Sequence, residues 1–285
     1  MNLPRLSRLL PLALAAFALR ALAQEAVAQE TAAQAAPAQA LPEARTILDR
    51  FIEKTRAREL VEKTTSMYVD GTMSLAGGQM EGTIEIWFKK PSQYRSEIEL
   101  PMIGKMVQSC DGQTSWMTNA MIGARLSEGV ELLQARLEAN YSARLKPTEV
   151  FESARTASRE TFDGRDCYKV ELVLRPAEGM DVAGTLAQRT VLEFYDVETG
   201  MLAGSEVTTE SDMFSGTVRT KYKEYAAYGG YPMARRTVVE TGPQVIEITV
   251  ESVDFDTVDD AIFVVPAEVQ ALIDRQKAKK ADTKD

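Results

Sequence analysis

Between Gly82 and Trp116 apolar and polar residues change places at every second position, and turn residues separate the runs. Ile84, Ile86 and Phe88 alternate with Glu85, Trp87 and Lys89, a period that puts one row of side chains on each face of a strand. Pro91 has no N–H and biases Lys90 toward an extended conformation, so it ends that strand. Tyr94, Ser96, Ile98 and Leu100 alternate with Arg95, Glu97 and Glu99 and read as the return arm. Asp111-Gly112 makes the next tight turn, ahead of Thr114-Ser115-Trp116. With the hairpin in register, Ile84, Ile86, Phe88, Lys90, Tyr94, Ile98 and Leu100 share one face. That face reads as an apolar wall with one cation at its rim, fit to meet a head group. It reads equally as packed sheet core with Lys90 reaching out to water. Trp87 and Trp116 read as packing residues that seal a wall or turn.

The same period returns later in the chain. Met67, Val69, Thr72 and Leu75 lie around Asp70-Gly71, and a turn at Gly77-Gly78 leads into the Gly82 strand. Tyr168, Val170, Leu172 and Leu174 alternate with Lys169, Glu171 and Arg175 after Asp163-Gly164. A connection at Gly179–Gly184 precedes strands at 190–196, 206–211, 217–225, 237–241 and 245–251. Many short strands joined by Gly and Asp turns argue for one antiparallel sheet or barrel. Two helical patterns interrupt it. Ile47, Leu48, Phe51 and Ile52 share a helical face near the start, with a second short piece at Leu60 and Val61. Between Met117 and Tyr141, Ser127 can cap a helix in which Val130, Leu133 and Leu137 share a face. With Met117, Met121 and Leu126, it suits a lid over a cavity or a helix plugging an ordinary core.

Composition narrows the chemistry. The 285 residues contain no histidine, which excludes Ser-His-Asp and Cys-His relays and His-ligated zinc or haem. Phosphate-cradling glycine loops, dinucleotide fingerprints and EF-hand loops are absent. The acids form no convincing catalytic pair, so the reading is a binding protein, neither enzyme nor cofactor nor metal carrier.

The first residues read as a secretory signal. Arg5 and Arg8 precede an apolar stretch from Leu9 to Leu19, and Ala21-Leu22-Ala23 offers a small-x-small cleavage site. The stretch is too short for a membrane anchor and is interrupted by Arg20. Cleavage near Ala23 removes three arginines and no acids, taking the formal charge from −9 to −12. So acidic a protein is a poor match for nucleic acid or anionic lipid. Residues 24–41, rich in Ala, Gln and Glu, read as a flexible leader. The basic end, with Arg275, Lys277, Lys279, Lys280 and Lys284, reads as a solvated tail from 271 to 285. One domain is expected over 42–270. Cys110 and Cys167 allow one bridge in an oxidising compartment, worth about 4 kcal/mol for a loop of that length. They also allow two buried, unpaired thiols.

Trp87-Phe88-Lys89-Lys90-Pro91-Ser92-Gln93-Tyr94-Arg95, followed by Asp111-Gly112-Gln113-Thr114-Ser115-Trp116, resembles the periplasmic outer-membrane lipoprotein carriers of the LolA type. The closing Asp260–Pro266 stretch and the Gly164–Tyr168 strand entry are similar to segments of that superfamily. The resemblance covers roughly residues 43–270. It implies a mainly β fold with α-helices (α+β): an unclosed antiparallel β-barrel with helices packed on or in its concave face. It also implies an apolar cavity for acyl chains, lined by the wall residues above with Met117, Met121 and Leu133. The expected protein is a periplasmic monomer that takes lipid or lipoprotein cargo from a membrane-bound donor protein to an acceptor protein. An arginine stands before the proline in the well-studied carriers and influences cargo release. Lys90 keeps its charge but lacks its planar fork. The superfamily also includes sigma-factor regulators, so an interaction or envelope-sensing module with a filled interior is the alternative.

Overall fold

The computed structural model describes residues 40–75, 77–101, 103–121, 123–176, 186–210 and 215–282. The expected signal peptide, nearly all of the leader and the turn expected at Gly179–Gly184 lie outside them. Two helices, α1 (Ala44–Lys54) and α2 (Ala57–Lys63), precede a first meander. Its strands are β1 (Ser66–Leu75), β2 (Met80–Lys89), β3 (Gln93–Leu100), β4 (Gly104–Cys110), β5 (Ser115–Asn119) and β6 (Gly123–Leu126). A helical insertion follows, with α3 (Gly129–Ala139), a 3-10 turn at Ala143–Leu145 and the short α4 (Pro147–Val150). The second meander is β7 (Phe151–Phe162), β8 (Arg165–Leu174), β9 (Thr190–Asp196), β10 (Leu202–Glu210), β11 (Ser215–Tyr228), β12 (Tyr231–Thr241) and β13 (Gln244–Phe255). A 3-10 turn at Asp260–Phe263 and α5 (Ala267–Asp282) close the described chain.

All described pairings are antiparallel, and the strand order is β6-β5-β4-β3-β2-β1-β13-β12-β11-β10-β9-β8-β7. Each meander is sequential. One long-range pair, β1 with β13, joins them into a single sheet whose edges β6 and β7 are not paired with each other.

Directly opposed residues of an antiparallel pair share a face, so the register traces each face across the sheet. The inner face runs from Met106 through Ile98 to Ile84, and from Met73 through Ile248 and Thr237 to Tyr222. It ends on Val207, Val191 and Leu172. Over the last part lies α1, because its spacing puts Ala44, Ile47, Leu48 and Phe51 on one stripe. They pack with Val170, Leu172, Leu174, Val191, Tyr195 and Leu202, and Phe51 meets the Tyr195 ring edge-on at 5.5 Å. Each fully buried side chain of this kind contributes about 2 kcal/mol. The Arg50 guanidinium fixes the helix along its axis by donating to the Val197 and Glu198 carbonyls at 2.8 and 2.7 Å.

The outer face carries the row Tyr68, Trp87, Arg95, Ser109, Trp116 and Leu126. Trp87 stacks on Tyr68 at 5.4 Å, and Trp116 and Ser109 are fully buried. The chain beyond β13 runs along this part of the sheet: the Asp260–Phe263 turn lies against β3 and α5 against β6. Lys89 pairs with Asp260 at 2.6 Å and donates to the Val258 carbonyl. The stretch expected as a solvated tail from residue 271 is helical, with Arg275 and Lys277 exposed, and it continues a helix seated just upstream by Phe263 and the wholly buried Val269. Counting lysines hid the apolar anchors just upstream.

Two further expectations change, and the cysteines take one of their two readings. Cys110 and Cys167 are free, buried thiols. They stand on β4 and β8 with eight strands between them in the sheet order, and burial pushes each pKa up to about 11. Ser127 caps no helix. Its hydroxyl pairs with that of Ser115 at 3.2 Å, and Glu128 occupies the cap position without a side-chain bond. Asp70-Gly71 holds a register shift inside β1. The region from Met117 to Tyr141 begins as sheet, with β5 running to Asn119 and β6 following before α3.

Gly71 and Gly82 let the neighbouring backbones close in where the sheet bends. A Cβ on Gly82 would stand 2.1 Å from the Glu99 carbonyl oxygen, and one on Gly71 2.3 Å from that of Thr249. Gly82→Val is expected to destabilise by about 2 kcal/mol through this overlap, read as a lowered urea midpoint. Near α2, the Asp256 carboxylate accepts from the Thr65 N–H, the Thr65 hydroxyl and the Ser66 N–H. These bonds, the Thr65 N–H foremost, hold its pKa below the ordinary aspartate value. A lowered folded pKa contributes stability that is full above the ordinary value and lost as pH falls through the lowered one. Asp256→Asn should lower stability by only about 0.5 kcal/mol at pH 7, since the carboxylate is exposed. The gap to the unsubstituted protein should close below about pH 4 in urea melts.

Candidate ligand-binding hollow

The register of β2 on β3 sets Ile84 opposite Ile98, Ile86 opposite Ser96 and Phe88 opposite Tyr94. All six face inward, as the alternation predicts. Their burial divides them. Ile84 and Leu100 are buried with Met73 in an apolar cluster whose partly buried neighbours include Met106, Ile246 and Ile248. These two are core side chains of the bend rather than accessible wall. Ile86 and Ile98 pack on that cluster while half-buried, and the Phe88 and Tyr94 rings lie 5.2 Å apart, also half-buried.

The structure separates the other expected residues. Met117 lies on β5 opposite Gln108 and Arg125, on the inner face and half-buried. Leu133 is buried on α3. Met121 is 77% exposed beyond the end of β5, so its place in the wall is corrected: an apolar side chain at a hairpin tip meets solvent. Lys90 is no free rim cation. Its ammonium donates to the Val61 carbonyl on α2 and sits 5.6 Å from the centre of the Tyr141 ring. The Tyr141 hydroxyl in turn shares a hydrogen bond of 2.6 Å with Thr64. Lys90 thus ties the end of β2 to α2 and to the loop after α3.

Helix α3 packs beside β3, β4 and β5. Arg125 of β6 holds its first turn through two bonds to Glu131, at 2.8 and 2.5 Å, and Arg136 donates to the Gln113 carbonyl. Glu138 lies one residue before the end of the helix. Its side chain is exposed, yet desolvation by the surrounding protein pushes its pKa up to about 7. The Tyr94 phenol is raised by burial first and then by the Glu138 charge, and the same charge reaches the Cys110 thiol. Tyr94 and Cys110 are paired on the inner face. The part of the inner face beside α3 thus carries Tyr94 and Cys110, whose ionisation burial opposes first.

Sequence reasoning passed over Glu138 because it followed the leucines of α3. The signal was there in small residues: Ala135 and Ala139 are almost wholly buried, and a position three beyond the first and one before the second lies on that side. Met106, Ile246, Ile248 and Tyr141 were likewise missed. Two surface clefts lie elsewhere, about 370 Å3 between β6 and α5 and about 460 Å3 along α1 and α2. Among the described residues no three of Cys, Asp and Glu converge as metal ligands.

Neither a protein-family model nor a curated protein matches the chain. Solved structures do. A LolA superfamily protein from Nitrosomonas europaea is 14% identical, with a TM-score of 0.53 over 79% of this chain and 99% of that one. A DUF1329 family protein from Desulfovibrio piger is also 14% identical, with a TM-score of 0.53 over 79% and 98%. A putative outer membrane lipoprotein-sorting protein domain from Vibrio parahaemolyticus is 10% identical, at 0.48 over 76% and 97%. Identities this low speak for the fold alone. The fold is LolA-like, an unclosed antiparallel half-barrel with helices against its inner face.

Proposed function

We propose that the protein is a periplasmic carrier that shelters the acyl chains of lipids or lipoproteins between α3 and the inner face of β2–β4. One observation carries the reading: on the inner face beside α3, Ile86, Phe88 and Ile98 stay half-buried while Ile84 and Leu100 close into the core. The half-buried Ile86, Phe88 and Ile98 supply an apolar side to the same space. The driving force is removal of hydrocarbon from water, about 0.8 kcal/mol per methylene. Export by the N-terminal signal and passage between a membrane-bound donor and an acceptor belong to this proposal. In it, Lys90 keeps the mouth closed through Val61 and Tyr141, and an acceptor competes for those contacts.

Affinity for a series of saturated alkyl alcohols, measured by displacement of N-phenyl-1-naphthylamine, should rise about threefold to fourfold per added methylene until the hollow is filled. A flat series, or no saturable binding, removes the carrier reading and leaves a fold that recognises a protein partner by another surface. Ile86→Trp should fill the space and Ile86→Glu should charge it. Both should weaken binding about tenfold or more while the far-ultraviolet circular dichroism stays native. Lys90→Met removes the tether without touching the wall. It should speed release of a bound probe in stopped flow by about threefold to tenfold, the loss of one charge-assisted hydrogen bond.

A further inference from the structure

Exposed apolar side chains of the sheet gather at one end of its strands. Four hairpins stand side by side in the strand order: β5–β6, β3–β4, β1–β2 and β12–β13. Their closing pairs are Asn119 with Gly123, Leu100 with Gly104, Leu75 with Met80 and Thr241 with Gln244. Antiparallel pairing puts all four turns at the same end. Met121 is 77% exposed there and Val245 41%. Leu186, exposed as well, precedes β9 at that end. The other exposed large apolar side chains among the described residues, Leu41 and Val264, lie outside the strands and their turns. The sequence of the four turns, 75–80, 100–104, 119–123 and 241–245, holds no Asp, Glu, Lys or Arg. The opposite end is charged. Lys90, Asp111 and Asp256 stand at its turns, and Arg56 donates to the Gly230 carbonyl between β11 and β12.

We propose that these four tips are a membrane-docking edge, which dips shallowly into the interface of an electrically neutral bilayer. Apolar turns without a charge enter the head-group boundary with no ion to desolvate. The edge is backed by core: Leu75, Met80 and Ile103 pack on the cluster of Met73, Ile84 and Leu100. A protein partner fits less well. The turns carry no Trp, Tyr or Arg, the side chains that anchor such interfaces, and they form a row of separate points. A fluid interface accepts such a row without a matching shape. The rung behind the turns sets the choice of lipid. It carries Glu81, Glu99 and Glu240 against Lys105. Of these, Glu240 pairs with Lys221 and Lys105 with Glu97, while Glu81 and Glu99 are exposed. Head groups of net negative charge are therefore repelled. The inference goes beyond the carrier reading and does not need it, since a sheet with a filled interior would dock by the same tips.

The test uses the mature full-length chain with an NBD fluorophore on Met121→Cys. Gln113→Cys, labelled alike at the β4–β5 turn of the opposite end, is the control, and the buried native thiols stay unlabelled. With phosphatidylcholine vesicles the label at position 121 should brighten and be quenched by lipids bearing a nitroxide near the head group. The label at 113 should do neither. Adding phosphatidylglycerol at low salt should weaken partition about twofold to threefold. Met121→Glu combined with Val245→Glu should lower co-flotation of the unlabelled protein with neutral vesicles about tenfold or more, with native far-ultraviolet circular dichroism. The docking edge is overturned if both labels respond alike, if neither responds, or if the double substitution leaves flotation unchanged. It is equally overturned if the label at 121 brightens with protein concentration in the absence of vesicles, which would make the tips a contact between copies. Stronger partition onto phosphatidylglycerol would overturn the choice of a neutral bilayer. None of these outcomes bears on alkyl binding, which the alcohol series measures without vesicles.

Discussion

The pairing of β1 with β13 is the contact on which the rest of the molecule depends. Each meander is built from neighbours in sequence and could form its hairpins locally, but the two share no face until Met73 meets Ile248 and Leu75 meets Ile246. That pair spans most of the chain, so its closure entropy must be met by the apolar side chains it brings together. The register shift at Asp70/Gly71 sits within it and adds local twist. Gly71 and Gly82, on adjacent strands, allow the backbones to close in at the same place. Joining and bending happen together, and the bend is what gives the sheet an inside.

The inside is filled unevenly. Over β8–β10 the stripe of α1 completes a core that includes Phe51 and Tyr195. Over β3–β5 the covering helix is α3, which buries Leu133, Ala135 and Ala139 and whose Leu137 reaches back to the α1 cluster. The strands of this half do not depend on an occupant for their order. Their outer row, with Trp87 and Trp116, is buried, and the chain after β13 runs along this part of the sheet. A wall supported from behind can keep its shape while its front is open, which is the mechanical condition for a carrier of the kind proposed.

Much of the sheet was legible because alternation is strong where one face is apolar. The Gly82–Leu100 hairpin, its register and the α1 stripe all follow from side-chain period alone. β7 was not legible. Phe151–Phe162 is an edge strand carrying Arg155, Arg159 and Glu160, and most of it is exposed, so it lacks the apolar row that betrays a strand. The outer-face core was half legible: the tryptophans were read as sealing residues, but nothing in the pattern put the Asp260–Phe263 turn and the helix after it beside the sheet. The hollow was the hardest part. Alternation shows that Ile84, Ile86 and Leu100 share a face but not that the bend buries the first and last while leaving the middle one half-open. That distinction depends on Met106, Ile246 and Ile248, which come from strands far apart in sequence.

Lys90 shows how one position can serve fold and proposed function at different strengths. A guanidinium there could bridge two carbonyls with its planar fork, whereas an ammonium acts as a point charge. In this chain the tether comprises one donated bond to Val61 and the face of Tyr141. The ring attracts a cation by about 0.5–1 kcal/mol at a partly wet site. Tyr141 is itself held by Thr64 at the end of α2, so moving the helix breaks both contacts at once. A closure built from two linked weak contacts opens cooperatively, and on the carrier reading that suits a mouth which must yield to a docking partner without unfolding the sheet behind it.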